Sequence, residues 1–408
     1  MLYDALEARA REEREADLMG RLPAQVAHAK GNTPFYRELL AGIDPRSVDS
    51  RAALAALPLT RKSELVERQR AQRPFGGLNA TVPAKLARIF MSPGPIYDPE
   101  GREPDFWRTS RALFAAGFRA GDVALNCFSY HFSPAASMFE TGLHHLGCAV
   151  IPGGTGQTEM QVRAINDLEP VGYVGTPSFL KIILEKAGEL GLECRSIRRA
   201  LVSGEAFMPA VREFLSQRGL AAFQAYGTAD LGVIAYESEA REGLVVNEDI
   251  IVEIVRPGTG DPVSEGEVGE VVVTTFNRDY PLLRFATGDL SAALAGASPC
   301  GRTNLRIKGW MGRADQATKV RGLFVHPHQV AEVLRRHGLS RGRLVVANEA
   351  GEDRMTLRVE LDGDAHADLA TRVEATLRDV SKLRGDVRFE RPGSLPNDGK
   401  VIEDSRSY

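Results

Sequence analysis

The sequence predicts an α/β protein. It has a large N-terminal domain built on a parallel βαβ sheet with a small antiparallel β region, then a small α+β domain of ferredoxin-like order. Three observations carry this. Between Leu86 and Tyr226 short apolar runs alternate with helical stretches of about 10 to 15 residues, the signature of βαβ units. After Ile234 the helical periods stop, and the strand-like runs Leu244–Val255, Glu267–Thr275 and Leu282–Leu290 follow. From Lys319 the order becomes strand, helix, strand, strand, helix, strand. The domains are therefore drawn as 1–313 and 314–408.

Taken in order, residues 1 to about 30 interleave Glu and Arg at helical spacing and predict a charged helix. The segment from Thr33 to Leu65 alternates short helical pieces with Pro and Asp stops, as a set of packing helices would. Leu86–Met91 reads as a short strand ending in Ser92-Pro93-Gly94-Pro95. Helices are expected over Phe106–Phe118, Pro134–Leu146, Met160–Leu168, Ser178–Leu190 and Pro209–Arg218. Between them lie the strands Asp122–Phe128, Cys148–Pro152, Gly172–Gly175, Arg199–Val202 and Ala221–Tyr226. In such sheets ligands gather at the carboxyl ends of the strands, where the glycine-bearing turns fall. In the C-terminal domain the strands are Lys319–Val325, Arg343–Asn348, Arg354–Leu361 and Asp386–Glu390. Its helices are Pro327–His337, with proline at a natural first position, and Ala365–Ser381.

The 408 residues are 43% hydrophobic and 26% charged, ordinary for a globular protein of two or three domains. A formal net charge of -3 argues against a nucleic-acid-binding surface spread over the whole molecule, so no nucleic-acid partner is expected, although Arg335-Arg336-His337 and Arg341 to Arg343 leave room for a local basic patch. No apolar run approaches the ~18 residues that a membrane span needs. The N-terminus is charged and lacks the apolar core of a secretory signal, so a cytoplasmic location is expected. Cys127, Cys148, Cys194 and Cys300 are scattered without a CxxC pair, which fits buried free thiols better than zinc. His144 and His145, about 100° apart on a helix, make a poor metal pair, and His326 and His328 flank Pro327 as capping residues.

Two motifs carry chemistry on their residues alone. Thr287-Gly288-Asp289 follows an apolar segment, and a carboxylate held by a glycine turn suits the two hydroxyls of a ribose. A capping or turn role is the alternative. In Tyr226-Gly227-Thr228-Ala229-Asp230 the glycine admits a ligand to the backbone, and Thr228 offers its hydroxyl to a phosphate. Asp230 suits a magnesium ion, which takes one or two carboxylates plus phosphate oxygens. A plain strand-to-loop turn with a capping Asp is the alternative there. Gly312-Arg313-Ala314-Asp315 then opens a polar segment leading to Lys319–Val325, with Gly322 inside it.

In this order and spacing the motifs resemble those of the adenylate-forming enzymes, in their phenylacetate–CoA ligase-like branch. The resemblance runs over roughly residues 30 to 400, starting with the Pro34-Phe35-Tyr36-Arg37 and Leu57-Pro58-Leu59-Thr60 segments. It implies that Ser203-Gly204-Glu205 lies against the adenine with Tyr226 and Gly227 across the base, and that Asp289 holds the ribose. Arg313 would contact the nucleotide, and Asp315, with Lys319 and Gly322, would form a hinge. Val150 to Glu159, with Gly153 and Gly154, is similar to the segment where acyl group and nucleotide meet. Tyr130 and Phe132 around His131 would line the acid pocket. Gly399-Lys400-Val401 resembles the Gly-Lys that presents the catalytic lysine, whereas on its own a tail lysine is simply solvated.

The implied activity is two-step: a carboxylate attacks the α-phosphate of ATP with Mg2+, and the CoA thiol then displaces AMP. The C-terminal domain would swing about Asp315 between the steps. The expected partner is a small, aromatic carboxylic acid; a homodimer is allowed by the sequence. One departure stands out. Where the family has a Ser/Thr/Gly-rich phosphate loop with a lysine, this chain has Ser92-Pro93-Gly94-Pro95-Ile96-Tyr97, and two prolines remove two N–H donors. The motif usually ends in Glu where Asp230 stands, one methylene shorter. Two rivals stay open: a nucleotide- or acyl-binding protein of the same fold without turnover, and an adenylation enzyme that loads a carrier-protein thiol.

Overall fold

Five parallel strands form between Val123 and Thr228, and they set the frame for everything else. The computed structural model describes the chain apart from residues 93–94, 315–317, 322, 350–351, 364–367, 397, 399 and 407–408, with backbone alone at 319, 324, 328, 349 and 352. Asp315, Gly322, Gly399 and Pro93-Gly94 thus lie outside the described residues, as does the Lys319 side chain. Two compact units emerge: Met1–Val252 with Val273–Phe285 and Leu294–Gly309, and Glu253–Val272 with Ala286–Ala293 and Trp310–Tyr408.

The parallel strands lie in the order Ala149–Ile151, Val123–Asn126, Gly172–Gly175, Arg199–Val202, Ala221–Thr228. Successive side chains go to opposite cores, which is why the runs are apolar throughout rather than alternating. Leu125, Tyr173, Ala200, Val202 and Ala222 pack with the helix residues Val162, Leu180, Ile183 and Leu215. Ala124, Val174, Leu201 and Phe223 face the other way, onto Phe118, Phe139 and Leu143. The caps are legible in sequence. Thr176 accepts from the Phe179 N–H at the start of Pro177–Glu189, and Gly147, left-handed at φ +87°, closes Ala135–Leu146.

The strand order reverses at Val123–Asn126. The chain leaves this strand toward Ala149–Ile151 on one side, then returns to Gly172–Gly175 on the other. Such a reversal opens a crevice outside the carboxyl ends of the flanking strands.

Several expected elements differ from those observed. Leu86–Met91 becomes Arg88–Ser92, paired antiparallel with Ile96–Glu100 as a two-stranded ribbon outside the parallel sheet. Pro99, opposite Ile89, has no N–H to give, so this ribbon cannot sit in a sheet interior. The helix expected over Phe106–Phe118 shrinks to Ser110–Ala115. Asp105 and Arg108 have left-handed backbones at φ +52° and +59°, and the Asp105 carboxylate accepts from the Thr109 and Ser110 N–H groups.

The antiparallel region is also divided. Gly232–Glu237, Leu244–Val246, Arg306–Ile307 and Ala293–Leu294 continue the parallel sheet to nine strands. The single run expected over Leu244–Val255 breaks at Asp249, φ +61°, where Asn247 Nδ2 donates to the Arg108 carbonyl at 2.7 Å. Ile250–Val255 joins Gly269–Thr275, Phe285–Ser291 and Thr60–Arg61 in a four-stranded sheet.

In the second unit Lys319–Val325 is a hairpin, Thr318–Val320 against Leu323–Val325, not one strand. The C-terminal sheet runs Asp386–Glu390, Glu352–Glu360, Arg341–Glu349, Ile402–Asp404. The strand–helix–strand–strand–helix–strand order is present along the chain, but its first strand pairs in the hairpin, and the fourth strand of this sheet is the chain's tail, running parallel to Arg341–Glu349. The core joins Leu344, Val346, Leu357 and Val359 to Val330, Val333, Val373, Leu377 and Ile402. His326 does cap its helix: its N–H donates to Gln329 Oε1 at 3.0 Å.

Candidate active site

In the first unit the predicted residues converge on the carboxyl edge of the parallel sheet. The strand Ala221–Thr228 runs through Tyr226, Gly227 and Thr228, two residues further than expected, with a bulge between Tyr226 and Gly227. A bulge re-aims side chains at the end of a strand. Thr228 pairs with Gly232, so Ala229, Asp230 and Leu231 form the tip of a hairpin, and Thr228 Oγ1 accepts from the Leu231 N–H at 3.3 Å. A Cβ at Gly227 would meet the Gly232 carbonyl oxygen at 2.5 Å, so this glycine is required by the hairpin itself. Gly227→Ala is expected to cost about 1–3 kcal/mol, the usual range for overpacking. Chemical denaturation checks this, and an unchanged midpoint would refute it.

One strand earlier, the Ser203 hydroxyl donates to the Ala225 carbonyl at 2.7 Å and ties the two strand ends together. Gly204, at φ +85°, places its Cα side toward Phe128 and Thr176, with a Cβ there 3.6 and 3.7 Å from them. Glu205 accepts from the Ser178 N–H at 2.7 Å, at the N-terminus of Pro177–Glu189. It therefore has a structural partner, and a carboxylate there suits the helix dipole. Tyr226 is buried.

The acid-facing candidates sit at the strand reversal. Asn126, fully buried at its strand end, donates from Nδ2 to Tyr130 Oη at 3.0 Å and to the Ala136 carbonyl at 2.9 Å. Tyr130 Oη in turn donates to Glu140 Oε2 at 2.5 Å, and burial followed by this carboxylate pushes the phenol well above its ordinary pKa. Gly153 and Gly154 present their carbonyls to Gln161 Nε2 at 2.7 and 3.3 Å, and the Gly154 N–H donates to the Asn126 carbonyl at 2.9 Å. Phe132 is 59% exposed and its ring meets only His131 edge-on among the described residues. The buried aromatic surface here is Phe128, stacked on Phe139 at 4.8 Å. Sequence reading missed this pair because a strand-end phenylalanine looks like any core residue.

Beneath the hairpin tip lies a second feature that the sequence did not reveal. Asp230 is buried, and Lys62 Nζ approaches its Oδ2 to 2.5 Å. Asp98, on the ribbon strand Ile96–Glu100, adjoins Asp230 and has no exposed surface. Burial first, then the Asp230 charge, pushes the Asp98 carboxyl well above the usual carboxylate range, against the pull of Ser92 and Lys62. Tyr280 faces the same pair, and burial with the Asp98 and Asp230 charges raises its phenol as well.

In the second unit Asp289 and Arg313 come together. Thr287, Gly288 and Asp289 lie within the strand Phe285–Ser291 rather than in a turn after it, with Gly288 at φ +76°. The buried Asp289 Oδ1 accepts from Arg313 Nη1 at 3.0 Å and Trp310 Nε1 at 3.1 Å. Trp310 was not anticipated; an exposed tryptophan beside Gly309 was the available signal. Lys400 is exposed and lines a cavity of about 290 Å3 within this unit, with Arg256, Glu267, Leu334, Arg343 and Pro396. Its loop is anchored by the buried Arg343, which pairs with Asp398 before it and with Glu403 Oε2 after it at 3.0 Å.

Known proteins resemble this chain in sequence and in fold. The family model described as AMP-binding enzyme matches residues 106–277. Phenylacetate–coenzyme A ligase from Thermus thermophilus is 33% identical over 88% of this chain and 84% of its own. The enzyme of the same name from Aromatoleum evansii is 31% identical over 89% and 85%. A solved structure of 2-hydroxyisobutyryl-CoA ligase in the postadenylation state superposes with a TM-score of 0.72 at 24% identity, covering 98% of this chain and 91% of that one. That last likeness is one of fold. Among the described residues no helix is long and apolar enough to cross a membrane.

Proposed function

Because this chain belongs to the phenylacetate–coenzyme A ligase family of AMP-binding enzymes, we propose that its substrate is an aromatic carboxylic acid, bound at the strand reversal. The chain is an AMP-forming acid–CoA ligase. It activates a carboxylic acid with ATP to an acyl-adenylate and pyrophosphate, and passes the acyl group to the CoA thiol. The observation that carries the aromatic reading is the Phe128–Phe139 stack, which lies beside Gly204 and supplies the flat apolar surface an aryl ring needs.

In this reading Gly204 and Tyr226 flank the adenine, while Asp289, oriented by Trp310 and Arg313, accepts from the ribose hydroxyls. Thr228 meets the phosphates. Lys400 neutralises charge that shifts between the carboxylate and the α-phosphate, a task of placement and preorganised charge. The Asn126–Tyr130–Glu140 chain sets the floor of the acid site, with the Gly153-Gly154 backbone beside it, and leaves Phe132 at its rim. Asp230 fits a magnesium ion, since its Oδ1 is buried without a hydrogen-bond partner among the described residues. The ion's chemistry there would be to screen phosphate charge. Asp315 is proposed as the hinge between domains 1–313 and 314–408, with Lys400 on the mobile side.

Acid-dependent pyrophosphate release tests the substrate class. Aryl acids are expected to give higher kcat/KM than short aliphatic acids, and Phe128→Ala should narrow that preference by about tenfold or more. Faster turnover of short aliphatic acids would refute the aromatic pocket.

A further inference from the structure

We propose that an arginine-lined cavity in the C-terminal region binds the phosphates of coenzyme A, held by Arg321, Arg378 and Arg384. This rests on the assignment of the chain as an acid–CoA ligase and gives the phosphorylated end of that co-substrate a place.

The cavity, of about 460 Å3, lies wholly within the second unit. Four guanidinium groups line it, each from a different element. Arg321 comes from the turn between Thr318–Val320 and Leu323–Val325, and Arg354 from the strand Glu352–Glu360. Arg378 belongs to the helix Leu369–Ser381, and Arg384 to the loop before Asp386–Glu390. Two carboxylates share the lining, Glu374 and Asp386, and Glu374 Oε1 already accepts from the Val387 N–H at 3.2 Å. The cavity is therefore positive in a chain whose formal net charge is -3.

Ion pairing separates this cluster from the basic patches that the sequence singles out. There Arg335 and Arg336 both bind Glu332, Arg341 faces Glu360 at 3.7 Å, and Arg343 binds Asp398 and Glu403. The guanidinium groups of Arg378 and Arg384 make no ion pair or hydrogen bond among the described residues. Arg321 donates from Nε and Nη2 to the Asp353 carbonyl at 3.0 and 2.6 Å, so its charge stays uncompensated. The Asp353 carboxylate is taken by the Arg321 N–H at 3.3 Å and by Arg406 Nη1 at 2.9 Å.

Like charges gathered from separate elements repel until an anion joins them. The planar guanidinium fork matches phosphate oxygens, and the space exceeds what one inorganic phosphate fills. The reaction brings two phosphate-rich ligands to the chain. ATP has its ribose residue in Asp289, whereas CoA, with a diphosphate and a 3′-phosphate, has had no site. The turn carrying Arg321 also follows closely in sequence on Arg313, the partner of Asp289.

The test uses the full chain and ready-made aryl acyl-adenylate, with either CoA or pantetheine, which lacks every phosphate, as the thiol. Replacing both residues, Arg378→Ala with Arg384→Ala, should raise KM for CoA about tenfold or more, the scale of losing hydrogen bonds to a charged group. The same change should leave kcat for CoA within about twofold and KM for pantetheine as in the wild type. Lysine at both positions should restore part of the CoA affinity. An unchanged KM for CoA, or an equal rise for both thiols, would overturn the proposal. So would a rise in KM for ATP during adenylation with CoA unaffected, since the cavity would then serve the other nucleotide. A second measurement needs no variant: in the wild type, added KCl should raise KM for CoA and not for pantetheine. A KM for CoA indifferent to salt would also overturn it. Wild-type protein that formed no thioester with CoA would instead remove the ligase assignment, and the site with it.

Discussion

Lys400→Ala is expected to form acyl-adenylate about 10²- to 10³-fold more slowly than the wild type, the scale of losing one preorganised charge partner in a transition state. Conversion of ready-made acyl-adenylate and CoA to thioester should stay near the wild-type rate. The side chain is exposed, and its ammonium has no hydrogen-bond partner among the described residues, so the fold should lose little, within about 0.5 kcal/mol. What positions it is the backbone, because Arg343 grips the loop on both sides of Lys400. Arg343→Ala should therefore imitate Lys400→Ala in the first step while also lowering stability, since it removes a buried guanidinium's bonds to Asp398, Glu403 and the Pro396 carbonyl. Rapid-quench measurement of each half-reaction separates these effects. Equal slowing of both steps by Lys400→Ala, or of neither, would make the tail lysine a surface residue.

Asp289→Ala should remove most of the thermal stabilisation that ATP confers. A ligand at a hundred times its Kd stabilises by about 2.7 kcal/mol, so the wild-type response is well within calorimetric reach. The substitution also frees Arg313 and Trp310, which both donate to Asp289 Oδ1. The base melting temperature will fall for that reason alone. The quantity that matters is the ATP-induced increment, with Asp289→Asn, which keeps one acceptor oxygen, expected to retain part of it. An increment equal to that of the wild type would remove Asp289 from the ribose site.

The sequence was most informative where both faces of a strand are buried. Gly172–Gly175 and Arg199–Val202 appear with the boundaries expected, because apolar runs bracketed by glycine or charge leave little choice. It was least informative where long-range pairing decides. Ile402–Asp404 is a strand only because Arg341–Glu349 lies beside it. Gly232–Glu237 was hidden because its turn follows a motif read for its chemistry, and Gly232 fits there only without a Cβ, which would sit 2.6 Å from the Trp107 carbonyl oxygen.

The site divides in the same way. Ser203, Tyr226 and Asp289 stand at strand ends or bulges that local patterns mark, and Asp289 and Arg313 are close in both sequence and space. Lys62 and Asp98 carry no local signal. Lys62 precedes Asp230 by 168 residues, and only folding joins them. Phe132 shows the opposite failure: an aromatic in the expected place that the left-handed backbone at φ +59° turns outward.

The central claim, that one chain activates an aromatic acid as its adenylate and then transfers it to CoA, is tested most directly in a single turnover. Enzyme in excess over ATP is mixed with Mg2+ and an aryl acid such as phenylacetate, and CoA is added after the first phase is complete. The expected result is pyrophosphate and acyl-adenylate in equal amounts before CoA, with AMP and thioester appearing together only after it. Pyrophosphate release that does not depend on the acid, or AMP that appears without an acyl-adenylate before it, would contradict the account.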